Sequence, residues 1–208
     1  MLYGRPRPGK EADFAELTAR INELDGRYAL SDDERARLEK MVNQREGIAI
    51  LPWEEIGCPR IGRDEAADRW LEEQYRTRHV DPEDEWHGRT LAEVREDLEG
   101  VYVEELAAEP DGMAGIIGPL TGLLDFRGKV VGYCEAIIGE ELAWEAYEPH
   151  TAEECLVYAA CIDQKLGEFL EEHDALDDEE IESIEELFEA VRWLRFWGGR
   201  GFGYEPWE

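Results

Sequence analysis

Apolar residues return at intervals of three and four over most of this chain, a spacing that predicts helices. Phe14, Leu17, Ile21 and Leu24 mark a first helix, closed by Gly26. Ser31-Asp32-Asp33-Glu34 has the form of a capping box, with Leu30 ahead of it as a staple. It opens a second helix through Leu38, Met41 and Val42 to about Arg45, and the short turn between the two predicts an antiparallel pair. Ala67, Trp70, Leu71 and Tyr75 share one side of a helix from Asp64 to about Arg78, and a Thr90–Glu93 capping box starts a short helix through Val94 and Leu98. A third capping box, Thr151–Glu154, opens a helix to about Glu172 that carries Cys155, Leu156, Ala159, Ile162, Leu166, Phe169 and Leu170. After a break at 173–178, Ile181, Ile184, Leu187, Phe188, Val191 and Leu194 predict a partner helix from about Glu179 to Trp197. Two such helices joined by a short loop make an antiparallel hairpin around one apolar seam.

The middle of the chain departs from this pattern. Ile48–Leu51 is a short apolar run before Pro52, and Val101–Val103 is another; both read as strands. Leu123–Phe126, the turn Arg127-Gly128-Lys129, and Val130–Tyr133 read as a β-hairpin. The fold class that follows is α+β and predominantly helical. It has an N-terminal helix pair over 10–46, a mixed α/β middle over 47–134 with a small central antiparallel sheet, an acidic helical region over 135–197, and a Gly/aromatic tail over 198–208. Phe202, Tyr204 and Trp207 of the tail are expected to pack back on the fold. With no internal repeat and no long linker, a single domain over 1–208 is expected.

Charge changes this picture most. The 208 residues hold 52 acids against 22 Lys and Arg, a net charge of -30. The excess is graded along the chain: 1–63 carries twelve acids and eleven bases, 64–134 eighteen and seven, and 135–208 twenty-two and four. Between Glu168 and Glu189 no Lys or Arg interrupts twelve carboxylates: Glu168, Glu171, Glu172, Asp174, Asp177, Asp178, Glu179, Glu180, Glu182, Glu185, Glu186 and Glu189. Like charges three or four apart on a helix oppose folding by a few tenths of a kcal/mol per pair, so solvated helical faces usually mix signs. Such a surface repels nucleic acid and anionic membranes and favours a basic protein. A general adaptation to salt would spread acid evenly and lean on Asp, whereas here Glu outnumbers Asp 37 to 15.

Candidate chemistry is sparse. The two serines are Ser31, in a cap, and Ser183, in the acidic region; Thr90 and Thr151 are caps as well. Cys58 is the one loop thiol beside a cation, Arg60, while Cys134 falls in a predicted strand and Cys155 and Cys161 lie on a helix. His79 and His87 flank an acidic loop without metal-ligand spacing, so no metal is expected. The glycines at 198–203 follow a helix and lack the strand–turn–helix setting of a dinucleotide site, so no cofactor is expected either. Asp125 and Glu135 are the carboxylates expected to be partly buried. No apolar run reaches membrane-span length and the start lacks the apolar core of a signal peptide, which fits reduced thiols in a cytoplasm.

The expectation is a non-catalytic acidic protein whose twelve carboxylates between 168 and 189 contact a basic, nucleic-acid-binding protein partner, as a nucleic-acid mimic, defence-system inhibitor or immunity-type protein would. The alternative is a soluble enzyme or housekeeping domain of a salt-adapted organism whose acidity serves only solvation.

Overall fold

A computed structural model of the chain describes residues 2, 4–25, 30–108, 126, 128–173 and 175–204. The fold is predominantly helical α+β, with ten α-helices and a two-stranded antiparallel sheet among the described residues. It divides into two compact units, one built from Met1–Pro52 with Asp111–Glu208 and the other from Trp53–Pro110.

In the first unit, α1 (Glu11–Asp25) and α2 (Asp32–Gly47) form the N-terminal pair around Ile21, Leu24 and Met41. Ser31 caps α2 with Glu34 in the expected reciprocal box. The strand β1 (Arg5–Pro6) pairs antiparallel with β2 (Ala49–Ile50), so the Ile48–Leu51 run finds its partner in the Pro/Gly-rich opening. The main helices are α9 (Ala152–Glu172) and α10 (Asp178–Gly198). They run antiparallel: a Cβ on Gly198 at the end of α10 would fall 2.9 Å from Ala152 O and 3.1 Å from Cys155 Cβ at the start of α9. Cys155, Tyr158, Ala159, Ile162 and Leu166 bury against Ile184, Leu187, Val191, Leu194 and Trp197. Phe202 and Tyr204 return as expected and are fully buried, with Tyr204 exchanging backbone hydrogen bonds with His150, while Trp207 lies outside the described residues. Trp193, Phe126 and Tyr204 make an aromatic core with centroids 4.6–5.8 Å apart.

Before α9 come three short helices, α6 (Gly128–Tyr133), α7 (Glu135–Ile138) and α8 (Glu140–Glu145). The strand expected at Val130–Tyr133 is therefore helical. Its β-branched valines suggest a strand locally, but Val131 and Cys134 are buried one helical turn apart, and Cys134 Sγ reaches 3.7 Å from Ser183 O on α10. The other arm of that hairpin, Leu123–Asp125, lies outside the described residues, while Phe126 is buried.

The second unit takes in α3 (Pro52–Glu55) from Trp53 onward, and its α4 (Glu65–Arg78) and α5 (Leu91–Asp97) pack around Ile61, Ala67, Leu71, Trp86, Val94 and Val103. Val101–Val103 is not a full strand; Tyr102 makes one isolated bridge to Arg60. No helix among the described residues is long and apolar enough to cross a membrane.

Candidate functional site

The α9–α10 hairpin presents its carboxylates as a structured surface, and the structure sorts them by what each already touches. Glu168, Glu171 and Glu172 lie exposed on the last turns of α9. Lys165 donates to Glu168 at 2.8 Å and holds that carboxylate below its usual pKa, helped by Gln164. Asp177 caps α10: its carboxylate accepts the Glu180 N–H at 2.8 Å, and Glu180 Oε2 accepts the Asp177 N–H at 2.9 Å. These two acids close a helix end, a role that stabilises by about 1 kcal/mol. The Asp-x-x-Glu spacing at 177–180 is the sequence signal for it. Asp178 and Glu179 are exposed in the first turn of α10, where the helix dipole favours them, and Glu182 and Glu185 are exposed further along the helix. Asp174 lies outside the described residues.

Glu186 and Glu189 are half-buried. Burial is the main cause that pushes the Glu186 pKa up, reinforced by Glu182 and Glu189, while the Cys134 thiol at 3.7 Å opposes it. One carboxylate oxygen of Glu189 is buried with no hydrogen-bond partner among the described residues. The free outer face is thus Glu171, Glu172, Asp178, Glu179, Glu182 and Glu185. Lys165 and Arg195 serve the hairpin itself, the latter bridging α10 to Asp163 of α9 at 2.8 Å. The seam is narrower than its periodicity suggests, since Leu156, Leu170, Ile181 and Phe188 remain exposed.

The other candidates resolve into structural roles. Cys58 is buried, and desolvation with Glu104 and Glu105 nearby pushes its pKa up to about 11, so it is a poor nucleophile. Cys134 and Cys155 are pushed up to about 12, mainly by burial. Glu135 is exposed, against the expectation of partial burial, because α7 turns it outward while Ile137 and Ile138 go inside; Asp125 lies outside the described residues. In the acidic loop, Asp84 accepts from Arg78 at 2.7 Å and from the Trp86 N–H at 2.8 Å, which holds its pKa down. His79 stacks on Tyr75 with centroids 4.5 Å apart. No group of His, Cys, Asp and Glu among the described residues is arranged to hold a metal.

Composition gives no hint of a second exposed feature, on α6 and α8. Tyr133 is 69% and Trp144 65% exposed, and Tyr147 is at the margin of exposure. Their sequence signal, aromatics set between acids in Glu140-Glu-Leu-Ala-Trp-Glu-Ala-Tyr147, is visible only once small Ala143 and Ala146 are seen to face inward.

No protein-family model matches the chain, and neither a curated protein nor a solved structure matches it significantly.

Proposed function

We propose that this is a non-catalytic acidic interaction protein that binds and blocks a basic, nucleic-acid-binding protein in a reducing cytoplasm, in the manner of a nucleic-acid mimic, defence-system inhibitor or immunity-type protein. The observation that carries this reading is the free carboxylate face at the hairpin end: Glu171, Glu172, Asp178, Glu179, Glu182 and Glu185 stand exposed on two packed helices, with no ion pair among the described residues. A rigid array of negative charge matches the surface a nucleic-acid-binding cleft is built to receive, and steers association strongly at low salt. The concentration of charge on one hairpin, beside a near-neutral N-terminal third, is not what uniform solvation requires.

The test uses the full chain with Glu179, Glu182 and Glu185 changed to Lys, which leaves the Asp177–Glu180 cap intact. A basic protein isolated from the native host on the wild-type chain, and released by salt, should bind the variant tens of fold more weakly at low salt. The difference should narrow as salt is raised. Equal dissociation constants for variant and wild type, measured by calorimetry, would refute the proposal.

A further inference from the structure

The second exposed feature carries an inference of its own. Ala143 and Ala146 are buried on the inner side of α8, and Tyr158 of α9 donates from its hydroxyl to Leu142 O at 2.8 Å. This close approach fixes α8 with Trp144 pointing into solvent. Tyr147 lies across the α6 backbone, where a Cβ on Gly132 would come 2.5 Å from its hydroxyl. Only glycine at 132 leaves room for that ring. Trp144 and Tyr147 are then held side by side, centroids 5.7 Å apart and tilted by 49°. Tyr133, next in sequence to Gly132, is exposed on α6.

Glu145 and Glu148, each next in sequence to one of these rings, line a cleft of roughly 610 Å³ together with Glu153, Val157 and Tyr158. None of these three carboxylates makes an ion pair among the described residues, and Lys129 is the sole Lys or Arg between 128 and 150. Elsewhere the chain's own arginines cover its rings: Arg78 lies 3.8 Å from the Trp86 centroid, Arg200 3.6 Å from Phe196 and Arg60 4.5 Å from Tyr102. No cation covers Trp144 or Tyr147 among the described residues. Exposed Trp and Tyr beside unpaired carboxylates suit a guanidinium, which is planar, weakly hydrated and attracted both to a ring face and to a carboxylate. The same acids repel the phosphates of a nucleic acid whose bases might otherwise stack there.

We propose that Trp144 and Tyr147, together with the carboxylates Glu145, Glu148 and Glu153 of the cleft, form a docking site for an arginine-rich segment of a protein partner. This rests on the reading of the chain as a binder of basic proteins, and adds to it a desolvated anchor distinct from the hairpin's long-range charge. Trp and Tyr are the side chains that most often carry binding energy at interfaces.

The probe is a fluorescein-labelled arginine–glycine peptide, titrated by anisotropy with the full chain at about 0.05 M and about 0.5 M salt, on either side of strong screening. Trp144→Ala should weaken binding about 3- to 30-fold, the range a single cation–π contact spans, and the factor should persist at the higher salt. Trp144→Phe, a weaker ring of similar shape, should fall between the two and serves as the folded control. A peptide with citrulline in place of arginine should not bind. The Glu179, Glu182 and Glu185 reversal should weaken the wild-type interaction at low salt only. If Trp144→Ala binds within twofold of wild type at both salts while the hairpin reversal weakens binding, the docking site is wrong and the basic-partner reading survives. If the arginine peptide does not bind wild type at all, both fall. Equal binding of the citrulline peptide, or a wild-type dimer in sedimentation that Trp144→Ala dissolves, would make the patch an apolar or self-association surface and overturn the proposal.

Discussion

Glu182 is the residue at which the cost of the carboxylate face can be read directly. On α10 it has Asp178 four residues before it, Glu179 three before, Glu185 three after and Glu186 four after, so four like charges share its helical neighbourhood. It is exposed and makes no ion pair among the described residues. Each such contact opposes the helix by ~0.2–0.5 kcal/mol at low salt, so Glu182→Gln, which removes the charge and keeps the length, should stabilise the fold by about 1 kcal/mol. For a chain of this size that raises the melting temperature by about 2–4 °C. Glu182→Lys converts the four repulsions to attractions and should gain roughly twice as much. The assay is thermal melting followed by far-ultraviolet circular dichroism, in buffers from about 0.02 M to about 0.5 M salt, with the gain shrinking as the screening length falls below the spacing of the side chains. A Glu182→Gln protein that melts at or below the wild-type temperature at low salt would show that the face is not self-repelling. Retention of such repulsion for a partner would then have no basis.

Three further outcomes follow from the same structure. Gly167→Ala, in α9 with nothing within 4 Å of the added Cβ, should stabilise by about 0.5–1 kcal/mol, whereas Gly198→Ala, driven against Ala152 O and Cys155 Cβ, should destabilise by about 1–3 kcal/mol in calorimetry. Shifts of the same sign would refute the antiparallel packing. Alkylation by iodoacetamide near neutral pH, followed by intact mass, should label Cys161 and spare buried Cys58, Cys134 and Cys155, with all four labelled in denaturant. Because the folded pKa of Glu186 is raised, its carboxylate costs stability when ionised; that cost should fade as pH drops from neutral through the raised pKa. Glu186→Gln should therefore melt higher than wild type at neutral pH and converge with it in acid.

How much of this was legible depended on how local each determinant is. The boxes at Ser31, Thr90 and Thr151 lie within four residues of sequence, and all three form as read. The seam of α9 and α10 was legible for a related reason, since helical spacing repeats it over several turns. The sheet was not, because β2 pairs with Arg5–Pro6 more than forty residues away, in a segment with no alternating pattern. Val130 and Val131 misled because propensity is weak against packing on α10. Leu170, Ile181 and Phe188 kept the period of the seam yet stay exposed, since periodicity gives a direction around the helix and not where the neighbouring layer stops. Trp144 was hidden by the opposite effect: a tryptophan reads as core, but here two alanines face inward and the large ring faces out.

The acidic character of the chain, taken as one number, also hid a division of labour. Asp177, Glu180 and Glu154 hold helix starts, Glu168 and Asp163 hold Lys165 and Arg195, and Glu186 faces a thiol, so these acids already serve the fold. Exposed acids without an ion pair among the described residues include those on the hairpin's outer face and Glu145, Glu148 and Glu153 near Trp144 and Tyr147 in sequence or in the α8–α9 cleft. The short helix α6 lies between these two surfaces. Its Cys134 end meets Glu186 of α10, and its Gly132 supports Tyr147. On the proposed reading, long-range charge at the first surface would govern encounter and weaken with salt, while ring contact desolvated on binding at the second would govern dissociation and would not. Substitutions confined to each should then add in log Kd, because neither disturbs the helix between them. Marked non-additivity between the hairpin reversal and Trp144→Ala would mean that α6 transmits a change from one surface to the other.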